Sequence, residues 1–428
     1  MLAGIIRHYM EASRVLGLSV DWQLTRLPNG MRVITIARPD TPTVAVRAYV
    51  RAGSRYDKPP NLGLAHFTEH LLFKGTHSHS QREIYASVEQ LGGVVDAGTT
   101  KEYLTLYAVL PHNGLSTATD VLAEILTQPA LSEDDFWEEK LVVLEEIRQA
   151  QDQQSVIFDV FAETLWPVHP LRQRIRGTME GLHALEPAAL LSFYQQRFVT
   201  GNVLLAISGD LQHERVTQLA ADNFATLPKG PEQPPNLAVE QPLDGQRNAH
   251  LEKAVHLTCL LLGVPTVGMK HQDRYAIKVM ERVLGMGGSS RLYQRLREEA
   301  QLVYSVNTVT AHYEDAGYFA VHAACAPENL DEVQQVILEE WDKMRQRGAS
   351  EDEVQAAKSN FAGTLARRSE TNIALATAFG VQGLLHQVET FEQAVARINA
   401  VRREDVLRVA QTYLNTESYV AVTVGRAS

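Results

Sequence analysis

From Gly63 to Gly75 the chain reads Gly-Leu-Ala-His-Phe-Thr-Glu-His-Leu-Leu-Phe-Lys-Gly, an apolar run interrupted by three strongly polar side chains. At about 100° per residue the run predicts a helix, with His66 and His70 about 40° apart and Glu69 about 60° to the other side of His66. Leu64, Phe67, Leu71 and Leu72 share that face. A second helix is predicted from Ser132, where Asp135 three residues on completes a weak capping signature. Its apolar face is read as Phe136, Trp137, Leu141, Val143, Leu144 and Ile147. Glu138 and Glu145 fall opposite, as solvated charges. Glu139 and Glu146, seven residues apart, lie within about 20° of each other at the border of the apolar face. Strands are predicted at Leu257 to Leu262, at Phe319 to Ala326, and at Val94 to Thr99 after a Gly92-Gly93 turn. Within the first twenty residues, Leu2, Ile5, Ile6, Tyr9, Val15 and Leu16 recur at helical spacing. Arg7, His8 and Glu11 interrupt any apolar centre a signal peptide would need, so residues 1–20 are expected to form an appended docking helix.

Proline punctuates the middle of the chain. Pro228, Pro231, Pro234, Pro235 and Pro242, with Gly245 behind them, exclude helix and central strand and mark a linker over 228–245. The parts on either side, 21–227 and 246–428, read as a diverged internal repeat. Each runs from an apolar strand to a helix, a glycine-containing bend and further strands, and each later opens a helix with Ser-Glu-Asp, at Ser132 and at Ser350. Placing Glu69 on Glu281 sets His66 and His70 on Lys278 and Arg282. Placing Ser132 on Ser350 sets Glu139 and Glu146 on Ala357 and Thr364. The second part keeps the scaffold without the metal-ligating side chains.

Charge and composition narrow the choice. A net charge of −11 argues against nucleic acid as a partner. No apolar run reaches the length of a membrane span. Cys259 and Cys325 sit in strand-like apolar runs and are expected to be free, buried thiols in a reducing compartment. Gly285-Met286-Gly287-Gly288 lacks the spacing of a phosphate loop and reads as a bend. His77 and His79 belong to a polar loop, off the face of His66 and His70.

The chemistry lies in His66, Glu69 and His70. Two imidazoles and a carboxylate on an apolar face are costly to bury unless something compensates them. Two histidines one turn apart can grip a single metal ion, and the glutamate between them can deprotonate a water that the metal activates. The order His-x-x-Glu-His is that of the inverted zinc-peptidase motif. Catalytic zinc takes three protein ligands, so a third is expected, and periodicity selects Glu146 and Glu139 over their neighbours.

The run around His66, Glu69 and His70, with Glu146 76 residues after His70, resembles the pitrilysin family of zinc peptidases, most closely its mitochondrial-processing-peptidase-like branch and bacterial relatives. The likeness extends through Gly92 to Thr99, Phe193-Tyr194 to Gly209-Asp210, and Ser290-Arg291-Leu292 to Tyr304-Ser305-Val306. It implies an α+β fold of two homologous α/β domains, mostly antiparallel sheets with helices on one face. It also implies one Zn²⁺ per chain on His66, His70 and Glu146, with Glu69 as general base and Glu139 supporting the site from outside. Arg297 and Tyr304 match the family's substrate-binding pair, Tyr304 serving as a donor to the oxyanion. The strand holding Asp96, Ala97 and Thr99 is implied to be an exposed edge on which the substrate lies as an added strand. Asp96 stands where the family usually has asparagine. The resulting expectation is a zinc endopeptidase acting on extended peptides or presequences, a homodimer with composite sites, in the bacterial cytoplasm rather than the mitochondrial matrix. Two other classes fit the same scaffold: a non-catalytic, chaperone-like subunit, which the complete motif argues against, and a zinc hydrolase of a non-peptide substrate, which gives no use for Arg297 and Tyr304.

Overall fold

The computed structural model describes residues 19–149, 153–235, 238, 240, 242–385 and 388–426. The helix expected over residues 1–20 thus lies almost wholly outside the described residues.

Strands β1 (Asp21–Arg26), β2 (Arg32–Ala37), β3 (Thr43–Val50), β4 (Val94–Thr99), β5 (Leu104–Pro111) and β6 (Val203–Gly209) form one sheet in the order β1-β2-β6-β3-β5-β4. Strands β7 (Arg247–Glu252), β8 (Thr258–Thr266), β9 (Val303–His312), β10 (Gly317–Cys325) and β11 (Val420–Gly425) form the other, in the order β7-β11-β8-β10-β9. Without β1, the two sheets are the same object. Each has one parallel pair, β2 with β6 and β7 with β11, and antiparallel pairs thereafter. Register matches as well. Arg32 lies opposite Leu204 and Arg247 opposite Val420, while Thr99 opposes Leu104 and Thr310 opposes Phe319.

The helices repeat in the same way. In the first half they are α1 (Leu64–Leu72), α2 (Gln81–Glu89), α3 (Leu115–Thr127), α4 (Glu133–Gln149), α5 (Gln153–Leu165), α6 (Met179–Ala184), α7 (Pro187–Arg197) and α8 (His213–Asn223). In the second they are α9 (Asp273–Gly285), α10 (Leu330–Arg347), α11 (Glu351–Arg368), α12 (Asn372–Leu384), α13 (Phe391–Ala400) and α14 (Arg403–Tyr413), with a π-helical turn at Tyr293–Glu299 where α2 would fall. The two Ser-Glu-Asp starts are both capped: Ser132 Oγ accepts from Asp135 N at 3.1 Å and Ser350 Oγ from Glu353 N at 3.2 Å.

Sequence periodicity did not reveal that one helix of each half crosses to the other. Phe379 and Leu375 of α12 pack on Ile34, Tyr49 and Leu204 of the first sheet, and Phe161 and Leu165 of α5 pack on Leu261, Val420 and Val422 of the second. Arg32 donates to Gly383 O (2.9 Å) at the end of α12, and Arg247 to Leu165 O (3.2 Å) at the end of α5. Free carbonyls at a helix C-terminus need such donors. Each sheet is therefore covered on both faces, rather than by its own helices on one. Ion pairs tie the halves further, Arg51 to Glu314 at 2.8 Å and Arg55 to Asp315 at 2.8 Å.

Cys259 and Cys325 are buried and free. A correction concerns α4. Trp137 and Leu141, expected on its apolar face, are 43% and 70% exposed, whereas Glu139 and Lys140 are buried. The helix is rotated so that its glutamates face α1. The rotation is tolerated because Lys140 Nζ caps the end of α6, donating to Leu185 O at 2.7 Å and His183 O at 3.1 Å.

Candidate active site

Helix α1 begins at Gly63, whose φ of +99° lies in the left-handed region. Asp57 fixes this start, one carboxylate oxygen accepting from Gly63 N (2.9 Å) and the other from Ala65 N (3.0 Å). A Cβ at Gly63 would meet Arg176 O at 2.7 Å, and one at Gly177 would meet Leu62 O at 2.3 Å. These glycines let the 176–177 segment lie against α1, which carries the Arg176 side chain into the site.

One turn apart on α1, the His66 and His70 rings face each other with centroids 4.6 Å apart. Glu146 of α4 reaches them, its Oε2 lying 3.5 Å from His70 Nε2 and 3.9 Å from His66 Nε2. Donor atoms of His66, His70 and Glu146 all fall within 4.8 Å of one another. Tetrahedral zinc with bonds of 2.0–2.2 Å separates its ligand atoms by about 3.4 Å, so small side-chain adjustments complete the fit. The tautomer also fits. Glu139 Oε1 lies 2.8 Å from His70 Nδ1, so that nitrogen keeps its proton and Nε2, on the Glu146 side, is the one that would be free to bind a metal. Lys74, four residues beyond His70 on the same face, pairs with the other oxygen of Glu139. His66 Nδ1 is buried without a partner.

The electrostatics of the cluster suit a cation. Burial pulls the His66 imidazolium down to about 4, with the neighbouring His70 adding to the effect. Burial also disfavours charged His70, but the hydrogen bonds and charges of Glu139 and Glu146 outweigh it and push the imidazole up to about 9. Glu146 is drawn down to about 2, first by its bond to His70 and then by Arg176, whose Nε donates to Glu146 Oε1 at 2.6 Å. Glu69 is shifted upward by burial, opposed by the hydroxyl of Thr99, which donates to its Oε2.

The Thr99 hydroxyl, on the strand expected to hold the substrate, orients Glu69. Among the described residues strand β4 pairs only with β5 and is the edge of its sheet, with Asp96 exposed, its carboxylate accepting from Tyr107 OH at 3.1 Å and from Ala97 N at 2.8 Å. Arg297 and Tyr304 are together at the edge of the other sheet. Arg297 Nη1 donates to Tyr304 O and to Val303 O, and its guanidinium lies 5.4 Å from the Tyr304 ring centroid. Tyr304 is 70% exposed. No hydrogen bond, ion pair or ring contact joins either to His66, Glu69, His70 or Glu146 among the described residues. Sequence reasoning did not identify Lys74, Arg176 or Asp57. Lys74 was in reach through its helical spacing from His70. Arg176 and Asp57 act only through the folded chain.

Two family models match the chain in succession. Residues 32–179 match the insulinase (peptidase family M16) model and residues 184–361 the peptidase M16 inactive domain. An uncharacterized zinc protease of Mycobacterium leprae is 32% identical over 94% of this chain and 91% of its own. Another, of Streptomyces coelicolor, is 30% identical over 93% and 88%. In fold the chain is similar to a protease from Helicobacter pylori (TM-score 0.89, 23% identity, 95% of this chain and 100% of that one) and to a peptidase M16 inactive domain from Pseudomonas fluorescens (TM-score 0.86, 22% identity, 95% and 98%). No described helix is long and apolar enough to cross a membrane. With both family models matched in order and whole-length relatives at 30% identity or more, this chain belongs to peptidase family M16.

Proposed function

We propose that this chain is a zinc-dependent endopeptidase that cleaves extended peptides or presequences, with Glu69 as general base. The observation that carries the reading is the convergence of His66, His70 and Glu146 from two helices onto one point beside Glu69. Zinc there would act as a Lewis acid, polarising the scissile carbonyl and lowering the pKa of the attacking water toward about 7. Glu69 takes that water's proton and returns it to the leaving amine. Burial, which raises its pKa, favours both transfers, and Thr99 holds it in position. Glu139 fixes the tautomer of His70.

The unpaired edge of β4 offers backbone groups for a peptide strand, so that affinity comes from the main chain and many side chains are tolerated. Asp96 and Ala97 flank that strand position. Exposed Tyr304 is the donor proposed for the oxyanion and Arg297 the group that holds a substrate carbonyl or carboxylate. That neither joins His66, Glu69, His70 or Glu146 among the described residues supports delivery by a second copy, in a homodimer with two composite sites and one zinc per chain. The inactive-domain match begins at residue 184, whereas the complete candidate ligand set lies before it, within 66–146; that favours an enzyme over a scaffold. Metal analysis of the purified chain, followed by cleavage-site mapping on a mixed peptide library, tests the proposal. Stoichiometric zinc with internal cleavages is expected; metal-free protein that turns over no peptide would refute it.

A further inference from the structure

The second half keeps the frame of the zinc site and changes its charge. Glu281 of α9 accepts from Thr310 of β9 at 2.8 Å, as Glu69 accepts from Thr99. On that frame His66 and His70 correspond to Lys278 and Arg282. Counting from the capping serines, Glu146 corresponds to Thr364. Lys278, Arg282, Thr310 and Thr364 all line one cavity of about 600 Å³, which falls within the range of small-molecule sites. The location of the metal centre thus persists as a cavity in which two cations replace the histidines and the carboxylate ligand is gone.

Nothing among the described residues replaces that carboxylate. Arg274 and Arg368 also line the cavity, against a single lining carboxylate, Glu389. Glu389 is already shared by Arg274 (2.9 Å) and Arg397 (3.0 Å). Arg282 reaches Glu281 at 3.4 Å, but its Nε is buried without a partner. The Lys278 ammonium makes no hydrogen bond or ion pair among the described residues; burial holds it below the ordinary lysine range, Glu281 opposing and the nearby arginines reinforcing the shift. His312 gives its Nδ1 proton to Val267 O at 2.9 Å, which leaves a buried Nε2 with no partner. Unpaired cationic and polar groups in a partly enclosed cavity are costly unless a ligand meets them. One wall is apolar, with Phe361 under the Arg282 guanidinium (4.8 Å) and Leu365 and Phe391 beside it.

We infer that the cavity between α9, α11 and α12 binds a small organic anion, one carboxylate or phosphate group carried on an apolar body. The anionic group occupies the place Glu146 holds in the first half, against Lys278, Arg282 and Arg368, and the apolar body lies along Phe361 and Leu365. The test uses the full chain at constant ionic strength, titrated with phenyl phosphate, benzoate and inorganic phosphate by calorimetry and followed by thermal shift. Saturable one-to-one binding of phenyl phosphate or benzoate is expected, tighter than that of inorganic phosphate, and the better of the two names the headgroup. Lys278→Gln should weaken it by about tenfold or more, since a hydrogen bond to a charged group is lost. Arg368→Gln, at an exposed position, provides the same comparison should Lys278→Gln fail to fold. Zinc content and peptide turnover should be unchanged in both variants, which separates this cavity from the zinc centre. Absence of saturable binding by all three probes, or equal affinity in wild type and variants, would overturn the inference. So would a Lys278→Gln chain that gains stability while the wild type binds no probe.

Discussion

Replacing Glu139 by glutamine isolates the support of a metal ligand from ligation itself. The side chain is buried, and its two oxygens serve His70 Nδ1 and Lys74. Glutamine keeps the shape and one acceptor oxygen, so His70 can retain a bond, but a neutral one. Exchanging a charge-assisted bond for a neutral one costs about 1–1.5 kcal/mol, or roughly 5–13-fold in affinity. If the amide turns its NH₂ toward His70, the imidazole is driven to the other tautomer, with a proton on the nitrogen that must face the metal. The loss then approaches the upper part of the roughly 10–100-fold typical of groups that orient a ligand. Zinc affinity measured by chelator competition, with peptide turnover at saturating zinc, reads both effects. Lys74→Met should weaken zinc less, because the Glu139–His70 bond survives. A Glu139→Gln chain with wild-type zinc affinity would refute the reasoning, since it would leave the 2.8 Å bond without consequence for the metal.

Glu69→Gln should bind zinc normally and lose turnover; a zinc-loaded variant with near-wild-type activity would remove Glu69 as the base. Glu146→Gln should strongly lower zinc occupancy, while Glu145→Gln, on the exposed face, should leave it unchanged by metal analysis. Mixing Glu69→Gln chains with Arg297→Ala/Tyr304→Phe chains should restore activity if sites are shared between copies; no rescue, with subunit exchange shown separately, would rule out the shared site. Phe161→Ala should cost about 3–5 kcal/mol in denaturant unfolding, as for a fully buried phenylalanine, although the residue belongs to the first half and packs on the second. Burial pushes the Asp315 carboxyl up, but His169 and Arg55 outweigh it and hold it well below the usual carboxylate range. Its contribution is therefore present above about pH 4 and lost as pH falls through the folded value. Asp315→Asn should lower stability at pH 7 and flatten the acid limb of the stability–pH profile.

The sequence carried the candidate ligands because their constraint is local. His66, Glu69 and His70 are within two turns of one helix, and period alone set Glu139 and Glu146 apart from Glu138 and Glu145. The same method misjudged Trp137 and Leu141, because a helical wheel ranks positions by hydrophobicity. Here two carboxylates and a lysine that caps α6 outrank two large apolar side chains for the inner face. Arg176 was invisible for another reason. It meets Glu146 only because Gly63 and Gly177 let two distant segments touch, and no spacing records such an approach. The exchange of α5 and α12 was equally hidden. Nothing in the period of either helix states which sheet it covers.

That exchange explains why the second half can lose its metal ligands and still be retained. The face of the zinc-bearing sheet turned away from α1 is closed by α12, with Arg47 donating to Thr377 at 2.7 Å and Tyr49 packed against Gly380. Removing the second half would strip that sheet bare. The fold thus needs the second half whatever stands at the positions matching the candidate metal ligands, and one condition applies there. Glu281 stays bonded to Thr310, and a buried carboxylate without an ion needs positive charge from elsewhere. Lys278 and Arg282 supply, through covalent side chains at the positions of His66 and His70, the charge that a dication would bring. With Thr364 neutral at the third position, they leave the local balance one negative charge short.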